Sequence, residues 1–279
     1  MDISASDVKA LREKTGAGMM ECKNALVETK GDAAAAEKLL KEKGLAAVEK
    51  RAGRATSEGR VVVKSDGKKA VMAEVTCETD FVAKNVDFIA LCDDVVTTAW
   101  NKGVTEVTPE LSAKVLDLAT KIRENMNLPR IAAVTCGADE TVTHYVHSDQ
   151  KTGVLIALKA DKPEILSSAA VKEFAYDCCL HVAAFTPRYV SVADVDKAYV
   201  AEQTEIFTKQ TADLDKPENV KAGIVQGKIK KHLAEICFLE QPFVKDDKVS
   251  VAKKMEEVGK AAGGKLTLSK MVLFQLGSY

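Results

Sequence analysis

The chain has 279 residues, of which 46% are hydrophobic, and a formal net charge of −1. That is enough apolar chain for more than one packed unit, and the near-zero charge argues against non-specific nucleic-acid binding, which needs a strong basic excess. No run of about 18 apolar residues occurs, so no membrane span is expected, and Met1-Asp2-Ile3-Ser4 lacks the basic region and apolar block of a secretory signal.

Residues 4–44 read as a compact helical unit. Ser4-Ala5-Ser6-Asp7 has a capping-box pattern and opens a helix carrying Val8 and Leu11, which stops at Thr15-Gly16. A second helix begins near Gly18, places Met19, Cys22 and Leu26 on one stripe and ends at Lys30-Gly31. Adjacent residues on a helix cannot share a narrow stripe, so Met20 is left further round, either as an adaptable contact surface or packed locally. Asp32 caps a third helix with Ala36, Leu39 and Leu40 on one side, and Gly44 is expected to stop it. Residues 45–59 read as a part-helical linker.

A hairpin follows, Arg60–Lys64 and Ala70–Cys77, joined by Ser65-Asp66-Gly67-Lys68, because Asp-Gly between alternating runs is a strong hairpin signal. The next stretch, Thr79-Asp80-Phe81-Val82-Ala83-Lys84-Asn85, lies between a strand pattern and a helix pattern. Asp80 is positioned to cap the helix. Phe81 at this corner is either tucked under the fold or offered to a partner. Helices are expected at about 85–102, ended by Gly103, and at about 109–125. Strands follow at 130–136, 141–147 and 153–160, then a helix at about 163–184. Strands followed by helices, twice over, suggest an α+β protein with two related subdomains. Two long helices, about 193–213 and 217–236, are separated by Asp213-Leu214-Asp215-Lys216-Pro217 and read as an antiparallel helical hairpin that projects from the body and packs on a second copy of itself. A helix at about 249–262 and a closing strand from Lys265 to Leu276 complete the chain.

Candidate chemistry is sparse. Thr15-Gly16-Ala17-Gly18 lacks the third glycine and the preceding strand of a dinucleotide loop, and Gly263-Gly264-Lys265 lacks the rest of a Walker pattern, so no direct nucleotide binding is expected. Cys22, Cys77, Cys92, Cys136, Cys178, Cys179 and Cys237 form no CxxC pair and have no His at metal-ligand spacing. They read as reduced, mostly buried thiols of a reducing compartment, with a zinc site or a Cys–His pair as alternatives. His144 and His147 lie three apart in an expected strand, which points them to opposite faces. His147, near a turn, reads as a polar contact residue. No nucleophile, base and orienting group assemble, so the sequence favours a binding protein over an enzyme, with no metal and no cofactor. A thiol enzyme and a small helical adaptor stand as rival readings.

Three stretches carry a resemblance. Leu11-Arg12-Glu13-Lys14-Thr15-Gly16-Ala17-Gly18-Met19-Met20-Glu21-Cys22-Lys23-Asn24-Ala25-Leu26 closely resembles the N-terminal signature of the elongation factor Ts family, Cys77-Glu78-Thr79-Asp80-Phe81-Val82-Ala83-Lys84-Asn85 resembles its second signature, and Glu240-Gln241-Pro242-Phe243-Val244 also looks like the family. The matches are long, in family order, and span about residues 2–276. The resemblance implies a cytoplasmic guanine-nucleotide exchange factor that binds elongation factor Tu during translation elongation, disturbs its Mg²⁺/phosphate site and promotes GDP release. It implies a ubiquitin-associated-like three-helix domain and linker over residues 1–54, core subdomains over 55–139 and 140–279, and a coiled-coil dimerisation insert at about 191–237. It implies partner contacts from Leu11, Met19 and Met20, from Thr79, Asp80, Phe81 and Val82, with Asp80 and Phe81 entering near the partner's Mg²⁺, and from Ile122 and His147 as supports of the inserted ring. Two departures accompany it. Arg123 stands where members often have Gly, and the chain ends at Leu276-Gly277-Ser278-Tyr279, where many members continue into a further helical module.

Overall fold

The computed structural model describes residues 3–278; Met1, Asp2 and Tyr279 lie outside the described residues. Ser4 opens helix α1 (Ala5–Thr15): its hydroxyl accepts from the Asp7 N–H at 3.1 Å, and the Asp7 carboxylate accepts from the Ser4 N–H at 3.3 Å. Helices α2 (Met19–Glu28) and α3 (Ala33–Arg51) complete a three-helix cluster around Val8, Leu11, Cys22, Ala25, Leu26 and Ala36. The expected stop at Gly44 does not occur, and α3 runs on to Arg51. Gly44 serves a different purpose. A β-carbon there would stand 2.3 Å from Thr120 Cγ2, so the missing side chain lets α3 lie against a later helix.

Strands β1 (Glu58–Ser65) and β2 (Lys69–Cys77) form the expected hairpin. Asp66 Oδ1 accepts from the N–H groups of Lys68 and Lys69 at 2.8 and 2.7 Å, closing the turn around Gly67 at φ +89°. After the corner helix α4 (Asp80–Ala83) come α5 (Val86–Lys102), α6 (Pro109–Ile122) and strand β3 (Met126–Thr135). Strand β3 begins four residues earlier than its apolar pattern indicates, because pairing with β2 extends past Leu128 to Met126↔Cys77.

The second half repeats this arrangement. Strands β4 (Glu140–Val146) and β5 (Thr152–Ala160) form a hairpin, helices intervene, and a last strand joins the middle one. The helix expected at 163–184 is a 3₁₀ turn, Pro163–Ser167, followed by α7 (Ala169–Phe185). Helices α8 (Lys197–Thr211) and α9 (Glu218–Ile236) pack on each other. Contacts Lys221–Ala212, Lys228–Gln210 and Tyr199–His232 show the two running in opposite directions. The helix expected to begin at 193 begins at Lys197, capped by Asp196. A short hairpin, β6 (Pro242–Phe243) and β7 (Asp246–Ser250), has no counterpart in the expectations, because two residues carry no readable alternation. Helix α10 (Val251–Ala261) and strand β8 (Leu266–Gln275) close the chain.

The architecture is α+β, with three-stranded antiparallel sheets ordered β1-β2-β3 and β4-β5-β8. The sheets face each other through Val61, Met72, Leu155, Ala157 and Phe274. Gly153 permits this approach: a β-carbon there would lie 2.5 Å from Val61 Cγ1. Helices α5 and α6 cover the outer face of the first sheet with Phe88, Leu91, Val95 and Leu111, and α7 and α10 cover that of the second with Phe174, Val171 and Met255. Fully buried Glu74 joins the halves. Its carboxylate pairs with Arg130 Nε at 2.7 Å and accepts from the Gly277 N–H at 2.9 Å. Among the described residues no helix is long and apolar enough to cross a membrane.

Candidate partner-binding surface

The second signature folds into a one-turn helix at the end of β2. Its N-cap is Thr79, whose hydroxyl accepts from the Val82 N–H at 3.4 Å. This corrects the expectation that Asp80 caps a helix here. Asp80 is the first helical residue, and α5 has its own cap, Asn85, whose side-chain oxygen accepts from the Asp87 N–H at 2.8 Å. The two short polar caps divide what the sequence pattern reads as one corner.

Burial alternates sharply around α4. Val82 and Ala83 point into the core of the first sheet beside Cys77 and Phe88, whereas Phe81 is 82% exposed. Of the two readings left open for this ring, the exposed one holds. Val86, at the start of α5, is 76% exposed and extends the apolar surface. Helical spacing would have revealed it, since Val86 lies off the Phe88–Leu91–Val95 stripe. Asp80 is bound by Lys84 at 2.7 Å, and this ammonium holds the Asp80 carboxyl below the usual carboxylate range. Lys151, on the turn between β4 and β5, pairs with Glu58 at 2.8 Å, and its pKa is raised by Glu58 first and also by Asp149 and Asp80. The turn is tied to β1 by the Val61 N–H donating to Gln150 O at 2.7 Å. Helix α4 and the β4–β5 turn thus share β1 as a base.

The other candidate residues separate into supports and surface. Ile122 packs against the core that holds Val82 and Ala83. His147 is exposed on the β4–β5 turn, with Nδ1 2.7 Å from the Tyr145 hydroxyl. Leu11 is 4% exposed, so it shapes the three-helix cluster and presents nothing to a partner. Met19, expected on the buried stripe, is 45% exposed, and Met20 is 65% exposed. Met19 opens its helix, where the β-carbon tilts back beyond the cluster, and the buried stripe is Cys22, Ala25 and Leu26.

Arg123 explains its own departure. It ends α6 at φ +68°, a left-handed conformation that glycine adopts freely and other residues adopt at a cost of roughly 1–2 kcal/mol. Its guanidinium reaches Glu21, whose carboxylate also accepts from the Gly18 N–H at 3.0 Å and so caps α2. Sequence reasoning missed Glu124, which accepts from the backbone of the 78–79 corner. No local signal could have exposed a contact across 45 residues.

Burial pushes the Cys77 and Cys92 thiols up to about 12 and those of Cys178 and Cys179 well above their ordinary value. Among the described residues no group of three or more His, Cys, Asp or Glu is placed to hold a metal ion.

Fold and surface define an α+β protein, built on two three-stranded antiparallel sheets and a short two-stranded one, that carries a solvent-facing aromatic ring on a corner backed by buried Val82 and Ala83. The family model described as Elongation factor TS matches residues 78–278. Elongation factor Ts of Treponema denticola is 69% identical over 277 residues, 99% of each chain. The proteins of that name from Treponema pallidum (strain Nichols) and Borrelia hermsii are 55% identical over 288 residues and 41% identical over 278, with at least 99% of each chain covered. The chain belongs to the elongation factor Ts family, and its role lies in the elongation stage of protein biosynthesis.

Proposed function

We propose that the chain is a guanine-nucleotide exchange factor for elongation factor Tu, with Phe81 as a wedge that intrudes beside the partner's Mg²⁺ and phosphate site. The observation that carries the reading is the 82% exposure of Phe81 on a turn whose next two residues are buried. An aromatic ring held in water by its own backing is poised to bury itself in a partner. Burial of a Phe contributes roughly 1.5–3 kcal/mol, which corresponds to about ten- to a hundredfold in an equilibrium constant. Because binding couplings are reciprocal, the factor weakens bound GDP as much as GDP weakens the factor. The reaction needs no covalent step from this chain, and the reading is of a binding protein, not an enzyme.

In this reading Asp80 perturbs the surroundings of the partner's Mg²⁺, and Thr79 and Val82 set and anchor the turn. Ile122 and His147 support the ring from the core and from the β4–β5 turn. Residues 1–54 form a ubiquitin-associated-like domain and linker whose Met19 and Met20 grip the same partner. Residues 55–139 and 140–279 form the two core subdomains, and the α8–α9 hairpin is a coiled-coil insert that joins two copies. Exposed Ile206, Leu214 and Val220 on or beside those helices support self-association; a mass that stays monomeric across a concentration series by light scattering would refute it. The reading is of a cytoplasmic protein.

The deciding experiment is release of a fluorescent GDP analogue from elongation factor Tu, with this protein and with Phe81→Ala. Accelerated release that the variant loses about ten- to a hundredfold supports both exchange and wedge. Acceleration retained in full by a folded variant refutes the wedge, and no acceleration by either protein refutes exchange.

A further inference from the structure

The wedge sits on four helical residues, fewer than a helix needs to hold itself, because the first hydrogen-bonded turn is unfavourable to form. Its order must come from outside. Val82 and Ala83 fix it from below. Its N-terminal end is fixed by a residue that lies just before β3, the strand paired with β2.

Glu124 faces the corner directly. One carboxylate oxygen accepts from the N–H groups of Glu78 and Thr79, both at 3.1 Å, and the other accepts from the Thr79 hydroxyl at 2.6 Å. With its proton committed to Glu124, that hydroxyl turns a lone pair toward the Val82 N–H and caps α4. Glu124 therefore orients the cap of the wedge helix. The neighbours of Glu124 hold two further elements. Asn125, 3% exposed, donates from Nδ2 to the carbonyls of Ala52 and Arg54 at 3.2 and 2.7 Å, beyond the end of α3. The Asn125 N–H also donates to Glu78 Oε1 at 2.7 Å, and the other Glu78 oxygen lies 3.4 Å from Arg54 Nη1. Arg123 reaches Glu21 at the start of α2. The left-handed turn at Arg123 sends the three side chains to three separate elements.

We infer that Arg123, Glu124 and Asn125 form one positioning device, in which Glu124 sets the orientation of Phe81 while Arg123 and Asn125 fix the three-helix cluster at a defined distance from it. Two surfaces that grip one partner must keep a set spacing, and a misplacement of about 1 Å can cost on the order of a hundredfold in rate. The inference rests on the exchange reading above. Glu124 touches no nucleotide and acts through the ring.

The test uses the full chain with elongation factor Tu and measures both the maximal rate of GDP-analogue release and the factor concentration giving half of it. Glu124→Ala is expected to lower the maximal rate by about 10- to 100-fold. Glu124→Gln, which keeps an acceptor oxygen, is expected to fall between. In the Phe81→Ala background, Glu124→Ala is expected to add no further loss, since the ring through which it acts is gone. A folded Glu124→Ala protein with unchanged rate overturns the inference, as does a full additional loss in the Phe81→Ala background. If Glu124→Ala fails to fold, Thr79→Val carries the test: it removes only the hydroxyl that Glu124 orients, and is expected to slow release by about three- to tenfold. An unchanged rate for that variant overturns the inference. A Phe81→Ala protein as fast as the parent overturns the wedge and this inference together, whereas a slow Phe81→Ala beside an unaffected Glu124→Ala overturns only the latter.

Discussion

Gly44 lies inside a helix, where glycine is a poor choice, and its replacement by Ala gives a sign that depends on one methyl group elsewhere. In an open helix interior the change gains about 0.8–1 kcal/mol. Here the new β-carbon would stand 2.3 Å from Thr120 Cγ2. Thr120 cannot easily rotate away, because its hydroxyl donates to Leu116 O at 2.9 Å, so α3 and α6 must part. Overpacking of this kind costs about 1–3 kcal/mol, which offsets the propensity gain and leaves Gly44→Ala between neutral and about 2 kcal/mol destabilising. Thr120→Ser removes the offending methyl. The nearest remaining atoms, the β-carbon and hydroxyl oxygen of residue 120, stand at 3.7 and 4.0 Å, ordinary contact distances. In that background Gly44→Ala is expected to stabilise α3 by about 0.5–1 kcal/mol. Native-state hydrogen exchange of the α3 amides across the four proteins reads the local stability. Equal effects of Gly44→Ala in both backgrounds would show that α3 and α6 do not touch here, and would remove the seam that holds the three-helix cluster against the core.

Arg130→Met removes the guanidinium partner of the fully buried Glu74 carboxylate and keeps the Gly277 N–H donor on its other oxygen, and is expected to cost about 3–5 kcal/mol; a loss below about 1 kcal/mol by urea denaturation would contradict the burial of a charge there. His181 is fully buried among Phe185, Phe238 and Phe243, with Nε2 2.9 Å from Gln241 Oε1. Burial lowers its pKa from the ordinary 6.5, against a smaller opposing effect of the Gln241 hydrogen bond. The unfolded chain then binds a proton that the folded chain refuses. The contribution of this group is complete above pH 6.5 and is lost progressively as pH falls below it. Proton NMR titration of the imidazole checks this, and half-titration at or above pH 6.5 would refute it.

Much of the architecture is legible because it is local. Asp-Gly between alternating runs marks the β1–β2 turn, Ser4 and Asp32 mark helix starts, and Phe88, Leu91 and Val95 recur at helical spacing along α5. The failures share a cause. Gly44 reads as a stop because glycine commonly follows a helix, yet here it answers to Thr120 on another element. Met19 reads as buried because its spacing fits, yet on α2 the cluster begins one turn later, at Cys22. Strand β6 has two residues, too few for a period to show, and β7, Asp-Asp-Lys-Val-Ser, carries a single apolar residue. For the surface, the resemblance pointed to the residues, but the ring's exposure was undecided until Val82 and Ala83 were seen to take the core positions beneath it.

The sequence by itself determined the order and type of most elements, since periodicity, caps and turns act within a few residues. It also determined the family, through two long signatures. Tertiary structure alone decided that Phe81 faces water, that Arg123 adopts a glycine-like backbone, and that Glu124 reaches the 78–79 corner. Each of these depends on atoms brought together from distant parts of the chain, and no pattern within a short window carries that information.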